Sequence, residues 1–325
     1  MFRQHVINAA RSAAPKALKT TLWLLKLILP ISLLVRLLQY AGVIDRIAGS
    51  IEPLFSLVGL PGESAIVFIT SIFSPLYAAL AVMSSLSLDM REITILALMC
   101  LISHNMIVEC SVQAKTGSNF AGIFIFRLLM SFVIAAFLNA VLPYDGYASP
   151  WFILKDNKDT SLFDLIDGWL VASLTLTVMM GVIVSLLMFA HRLMDEMHWL
   201  EKATGYVKPL ISFFGLPEKC SFMWIVGNVV GLTYGGAIMI DAIENKQITV
   251  NESKKLNIHL AVSHSLIEDT LIFASVGVSI GWIICTRLIF AFCTVWIIRG
   301  MHYIIKQKRS KNIIKSKIEN GEQSI

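Results

Sequence analysis

Charge is what this chain has least of. Charged residues fill 15% of its 325 positions against 56% hydrophobic ones, and the mean hydropathy is +0.72. Soluble domains carry about 25% charged residues, so a soluble globular fold is excluded. Several apolar runs reach the roughly 20 residues that cross a bilayer. Cysteine is scarce too: Cys100, Cys110, Cys220, Cys285 and Cys293 are odd in number and lack CxxC spacing. That pattern excludes a disulfide framework and a thiolate zinc site, and leaves reduced thiols among apolar neighbours. There is no GxxxxGK[ST] loop for nucleotide phosphates and no HExxH helix, so neither ATP- or GTP-driven work nor metalloprotease chemistry is expected. Ser-His stands in direct succession at Ser103-His104 and Ser263-His264. Adjacent residues on a helix point about 100° apart, which is poor geometry for a nucleophile and its base. The chain is not expected to be an enzyme. Nor does the net charge of +5 mark a nucleic-acid binder, because the basic residues gather at the two ends. A cleaved signal peptide is not expected, since Lys26 and Arg36 interrupt the first apolar run.

What is present is said twice. Pro53-Leu54 and Gly59-Leu60-Pro61 return as Pro209-Leu210 and Gly215-Leu216-Pro217, displaced by 156 positions. Ser103-His104-Asn105-Met106-Ile107-Val108-Glu109 returns as Ser263-His264-Ser265-Leu266-Ile267-Glu268-Asp269, and Arg127 returns as Arg287, both displaced by 160. One net insertion of four residues separates the two blocks. Two copies of one unit, each with His, acid and Arg inside apolar sequence, mark a pseudo-symmetric membrane protein with a site between its halves. The expected fold is all-α and integral to the membrane. Its parts are a basic segment 1–17, a first unit 18–142, a linker 143–160, a second unit 161–305 and a basic tail 306–325 expected to be partly disordered.

Each unit opens with a long apolar helix, about 18–43 and 162–192, then an amphipathic stretch at 43–53 and 199–209 that suits the interface plane. The next apolar runs are broken, at Ser74-Pro75 in 64–87 and at Gly231 and Gly235-Gly236 in 222–243. Each run is either one kinked span or a re-entrant hairpin with its tip inside the membrane. Two spans close each unit, about 91–109 and 119–142, then 253–273 and 278–304, with Asp89/Glu92 and Thr249/Glu252 as capping pairs. Hairpins leave three crossings per unit and invert the second unit. Lys115, Arg192, Lys202, Lys208 and Lys219 then fall inside, and Arg91, Lys155 and Lys158 outside. Eight straight spans reverse both sets, so the positive-inside rule favours inverted repeats. It places both termini in the cytoplasm and 143–160 outside; the expected location is the cytoplasmic (inner) membrane of a prokaryote.

The doubled Gly-Leu-Pro, the broken apolar runs and the Ser-His in the following span resemble the Gate, or nucleoside-recognition, family. That family includes spore-maturation membrane proteins and a domain shared by the ferrous-iron permease and concentrative nucleoside transporters. The resemblance covers roughly 20–140 and 165–300. It implies a substrate site built from the breaks at 71–77 and 228–236 together with the Ser-His segments. The chain departs from the iron permease in lacking a GTP-binding domain, and from the nucleoside transporters in lacking their Gln/Thr/Glu hairpin tip.

Ionisable groups inside spans are costly and face an interior or a wet cavity. On continuous helices His264 and Glu268 share a face, as do Ser265 with Asp269 and Asn105 with Glu109. A two-fold axis brings His104 towards His264. Imidazole beside carboxylate suits a divalent cation or a coupling proton as the only cofactor, the metal ligands being His104, His264 and Glu268. The alternative is that these groups only hydrogen-bond neighbouring helices. Arg127 and Arg287, deep in their helices, need Glu109 and Asp269 as ion-pair partners. The expected substrate or ion site comprises Ser74, Ser103, His104, Asn105, Glu109, Asn228, Ser263, His264, Ser265, Glu268 and Asp269. Two functions stand: a secondary transporter of a nucleoside-like solute or a divalent cation, and a non-transporting membrane scaffold of the spore-maturation type. The partners are the lipid bilayer, the solute or ion, and a second copy or other membrane protein, with no nucleic acid.

Overall fold

The computed structural model describes residues 2–143, 161–197 and 199–319, and every regular element among them is helical. The first unit holds α1 (Phe2–Tyr40), α2 (Val43–Ser56), α3 (Ser64–Phe73), α4 (Leu76–Met83), α5 (Met90–Ser103), α6 (Met106–Lys115) and α7 (Phe120–Val141). The second repeats the order in α8 (Leu162–Glu196), α9 (Trp199–Phe213), α10 (Ser221–Val229), α11 (Leu232–Glu244), α12 (Val250–Ser263), α13 (Leu266–Ala274) and α14 (Ile280–Glu319).

The repeated motif is a helix stop. Gly59 and Gly215 take φ of 73° and 76°, a left-handed conformation that suits glycine. Leu60 N–H then reaches back to Phe55 O, and Leu216 N–H to Ile211 O, each at 3.0 Å. That is the Schellman closure, with proline following to forbid continuation. The two capping pairs are reciprocal boxes: Glu92 N–H donates to Asp89 Oδ1 at 2.7 Å and Asp89 N–H to Glu92 Oε2 at 2.9 Å, while Thr249 and Glu252 do the same. They start α5 and α12.

At 10 and 8 residues, α3 and α4 are each too short to cross a core of about 30 Å at 1.5 Å per residue. The two pack against each other, as do α10 and α11. The breaks fall at Ser74-Pro75 and Val230-Gly231. Gly235 and Gly236, expected to break the second run, lie inside α11 instead and admit close neighbours: a Cβ on Gly236 would stand 2.1 Å from Val112 Cγ1. The following spans break as well, at His104-Asn105 and at His264-Ser265.

Among the described residues, four helices are long and apolar enough to cross a membrane by length and composition: Met90–Lys115 taken across its break, Phe120–Val141, Leu162–Met194 and Ile280–Ile305. The first is 83% buried inside the protein and the other three at most 33%, so α5–α6 forms the core and α7, α8 and α14 its lipid-facing shell. The α5–α6 and α12–α13 spans run antiparallel, since Gly117 lies against Val250 at one end and Gly277 against Met90 at the other.

Two differences concern the ends. The basic segment 1–17 is not separate from the first helix: α1 is helical from Phe2. Its Ala9, Ala13 and Ala17 are buried, and neighbouring alanines of α1 face Gly181 and Ser185 of α8. Alanine is the best helix former and lets helices approach. The tail from 306, expected to be partly disordered, continues α14 as helix to Glu319; 320–325 and the linker stretch 144–160 lie outside the described residues.

Candidate functional site

The four breaks meet. Asn105 leaves α5 in the left-handed region, φ 48°, and its N–H donates to Ser71 O at 2.8 Å and Ser74 O at 3.1 Å. Ser265, at φ 50°, donates its N–H to Gly227 O at 2.9 Å. Each interrupted span is thus stitched to the C-terminal end of the half-helix in its own unit's hairpin. The freed carbonyls at the ends of α5 and α12 are met by arginine. Arg127 Nε donates to Ile102 O at 2.7 Å and its Nη2 to His104 O at 3.0 Å; Arg287 Nε donates to Val262 O at 3.0 Å and its Nη2 to His264 O. Both guanidiniums are fully buried, and each also meets its acid, Glu109 Oε2 at 2.7 Å from Arg127 and Asp269 Oδ2 at 3.4 Å from Arg287.

Because the spans break after the histidines, His264 and Glu268 do not sit on one continuous helix. Both imidazoles turn to Glu109: His104 Nε2 stands 3.3 Å from its Oε1 and His264 Nε2 3.1 Å from its Oε2. The two rings lie 5.2 Å apart between centroids. Among the described residues, the group that could hold a metal ion is His104, Glu109 and His264, with Glu109 in the place expected for Glu268. Glu268 sits in the wall of an adjoining cavity near Tyr77.

That cavity, about 300 Å³, is lined from the first unit by Pro75, Tyr77, His104, Asn105 and Glu109, and from the second by Gly231, Thr233, Ser265, Glu268 and Asp269, among others. The remaining expected site residues do not reach it. Ser74 contributes its carbonyl to the stitch on Asn105. Asn228 is buried and donates to Trp224 O at 2.9 Å within α10. Ser103 is fully buried. Ser263 Oγ contacts His259 Nδ1 at 2.9 Å rather than its neighbour His264.

A family model described as nucleoside recognition, Gate, matches residues 21–113. The chain is 30% identical over 284 residues to the "Uncharacterized membrane protein YvoD" of Bacillus subtilis (strain 168), covering 83% of this chain and 87% of that protein. The chain belongs to the Gate, nucleoside-recognition, family of membrane proteins. No solved structure matches it.

Sequence reading passed over several residues of the site region. His259 is fully buried, lies tilted against Phe214 at 4.8 Å between ring centroids and accepts from Trp224 Nε1 at 3.2 Å; its i,i+4 spacing to Ser263 was the available signal. Gln113 and Asn257 clamp α6 to α12, with Gln113 Nε2 donating to Asn257 O at 2.8 Å and Asn257 Nδ2 to Thr116 Oγ1 at 2.8 Å. The repeat gave no sign of this clamp, because the equivalent positions are Phe273 and Ala97. Gly277-Val278-Ser279-Ile280-Gly281 spells the GxSxG of a nucleophile elbow. It joins α13 to α14, two helices, where the elbow needs a strand leading in.

Proposed function

We propose that the protein is a secondary permease that carries a small solute or ion through the cavity where its four helix breaks converge. The cavity carries this reading: about 300 Å³ of space walled by His104, Asn105, Glu109, Ser265, Glu268 and Asp269 from both units, inside a helical membrane protein. Interrupted helices turn their termini and polar groups towards a ligand, and transporters of repeated architecture place the site between the repeats. A scaffold that only binds partners has no need of acids and imidazoles around an interior space, since such groups cost several kcal/mol in a membrane. The antiparallel crossing of α5–α6 and α12–α13 supports inverted repeats with both termini cytoplasmic and 143–160 outside. The solute is nucleoside-like or a divalent cation. With no nucleotide-binding sequence, an ion or proton gradient drives it.

Purified protein in liposomes, assayed with nucleosides and with Mn²⁺, Fe²⁺ and Zn²⁺ with and without a pH gradient, tests this directly. Uptake of one class, lost in His104→Ala with His264→Ala while the protein stays folded, is the expected result. Folded protein that moves none of them returns the chain to the scaffold reading.

A further inference from the structure

The cluster at the centre of the breaks brings two imidazoles, His104 and His264, to one carboxylate, Glu109. His104 Nδ1 lies 3.2 Å from the carbonyls of Cys100 and Leu101, and His264 Nδ1 lies 2.7 Å from Leu260 O. A carbonyl only accepts, so in both rings Nδ1 carries the hydrogen; Nε2 then either carries a second proton towards Glu109 or, in the neutral ring, presents a lone pair. In the neutral rings the lone pairs face the two oxygens of one carboxylate, Glu109, at 3.3 and 3.1 Å. Facing acceptors repel one another unless a positive species stands among them.

We propose that this species is a divalent first-row transition-metal ion, held by His104 Nε2, His264 Nε2 and Glu109, and that it is the permease's cargo. The ligand atoms all lie within 4.8 Å of one another. Bonds of about 2.0–2.1 Å in a tetrahedron set ligand edges of about 3.3 Å, close to the 3.3 and 3.1 Å that separate each imidazole from its own oxygen of Glu109. Two nitrogens and one oxygen suit zinc, manganese, iron or cobalt, whereas calcium and magnesium take oxygen ligands. The outer contacts are those of a built site. Each ring is oriented by a backbone carbonyl, and Arg127 holds Glu109 Oε2 at 2.7 Å. His104 and Glu109 also line the cavity, which leaves the fourth position open for water and for release.

As the identity of the cargo this rests on the permease reading; as a site it can be read without any flux. Full-length protein in detergent, stripped with a chelator, is titrated with Co²⁺ and then Zn²⁺. One cobalt per chain is expected, with the intense visible absorption of a four-coordinate ion, displaced by zinc. Glu109→Gln and His264→Asn, each shown folded by its elution and melting profile, should lose that absorption. No cobalt bound by folded protein, or proton uptake alone at these residues, overturns the metal assignment and leaves transport of another solute standing. A spectrum that survives Glu109→Gln and disappears in Glu268→Gln overturns the ligand set proposed here. A spectrum that behaves as expected while liposomes show no metal uptake keeps the site but overturns its metal as cargo.

Discussion

At the scale of single residues, the two buried arginines hold the interrupted spans together. A guanidinium offers five donors in a rigid fork, and Arg127 uses that fork on Ile102 O, His104 O and Glu109 at once. The carbonyls it meets are those a broken helix leaves without partners. Replacing Arg127 with Met therefore strands both the carboxylate and the carbonyls. Removing one partner of a buried pair costs about 3–5 kcal/mol, so Arg127→Met is expected to lower the melting temperature in detergent markedly. Arg127→Lys should fall between, because an ammonium is a point charge without the fork. Melting of Arg127→Met at the parental temperature would remove the arginine from any structural role. The sequence already showed the pairings of Arg127 with Glu109 and Arg287 with Asp269, since buried charges of opposite sign and repeated spacing leave few other partners. It did not show the carbonyl contacts, because those exist only once the spans have broken.

At the scale of elements, what was legible is what local chemistry decides. The Gly-Leu-Pro stops, both capping boxes and the break at Ser74-Pro75 follow from residues whose own backbone preferences force them. The breaks at Asn105 and Ser265 were not legible. A left-handed non-glycine residue costs about 1–2 kcal/mol, and here the compensating bonds come from Ser71, Ser74 and Gly227, far off in sequence. The same limit placed Glu268, and not Glu109, beside the two histidines in the sequence reading. Gly236 shows the reverse, a residue that looked like a helix breaker and is a contact surface. It lets α11 close on α6, and its repeat equivalent is Leu80 in α4. Gly236→Val should force these helices apart at a cost of about 1–3 kcal/mol, the usual penalty of overpacking. Adding Val112→Ala should recover most of the lost melting temperature. Failure of that rescue would mean that the two side chains do not oppose each other.

For the whole molecule, the ends of the two core spans give their direction relative to each other. Gly117 beside Val250 sets the end of α6 level with the start of α12, and Gly277 beside Met90 does the same for α13 and α5. The positions in each contact differ from those in the other by 160, the displacement of the repeat itself, so one approximate two-fold operation relates both contacts. Antiparallel core spans require an odd number of crossings in the first unit, as hairpins give and four straight spans do not. The lysines then sort as the positive-inside rule asks, with Lys115 and Lys246 on one side. Lys115, Asn245 and Ser279 are all exposed. Single cysteines placed there in a cysteine-free background, treated with a membrane-impermeant thiol reagent in intact cells, should divide two against one: Ser279→Cys labels from outside, while Lys115→Cys and Asn245→Cys label only after the membrane is opened. Eight straight spans predict that Lys115→Cys labels from outside with Ser279→Cys, and that outcome would discard the inverted arrangement. With it would go the rocking of one unit against the other, because exchanging the conformations of two units turns a site from one side of the membrane to the other only when the units are inverted.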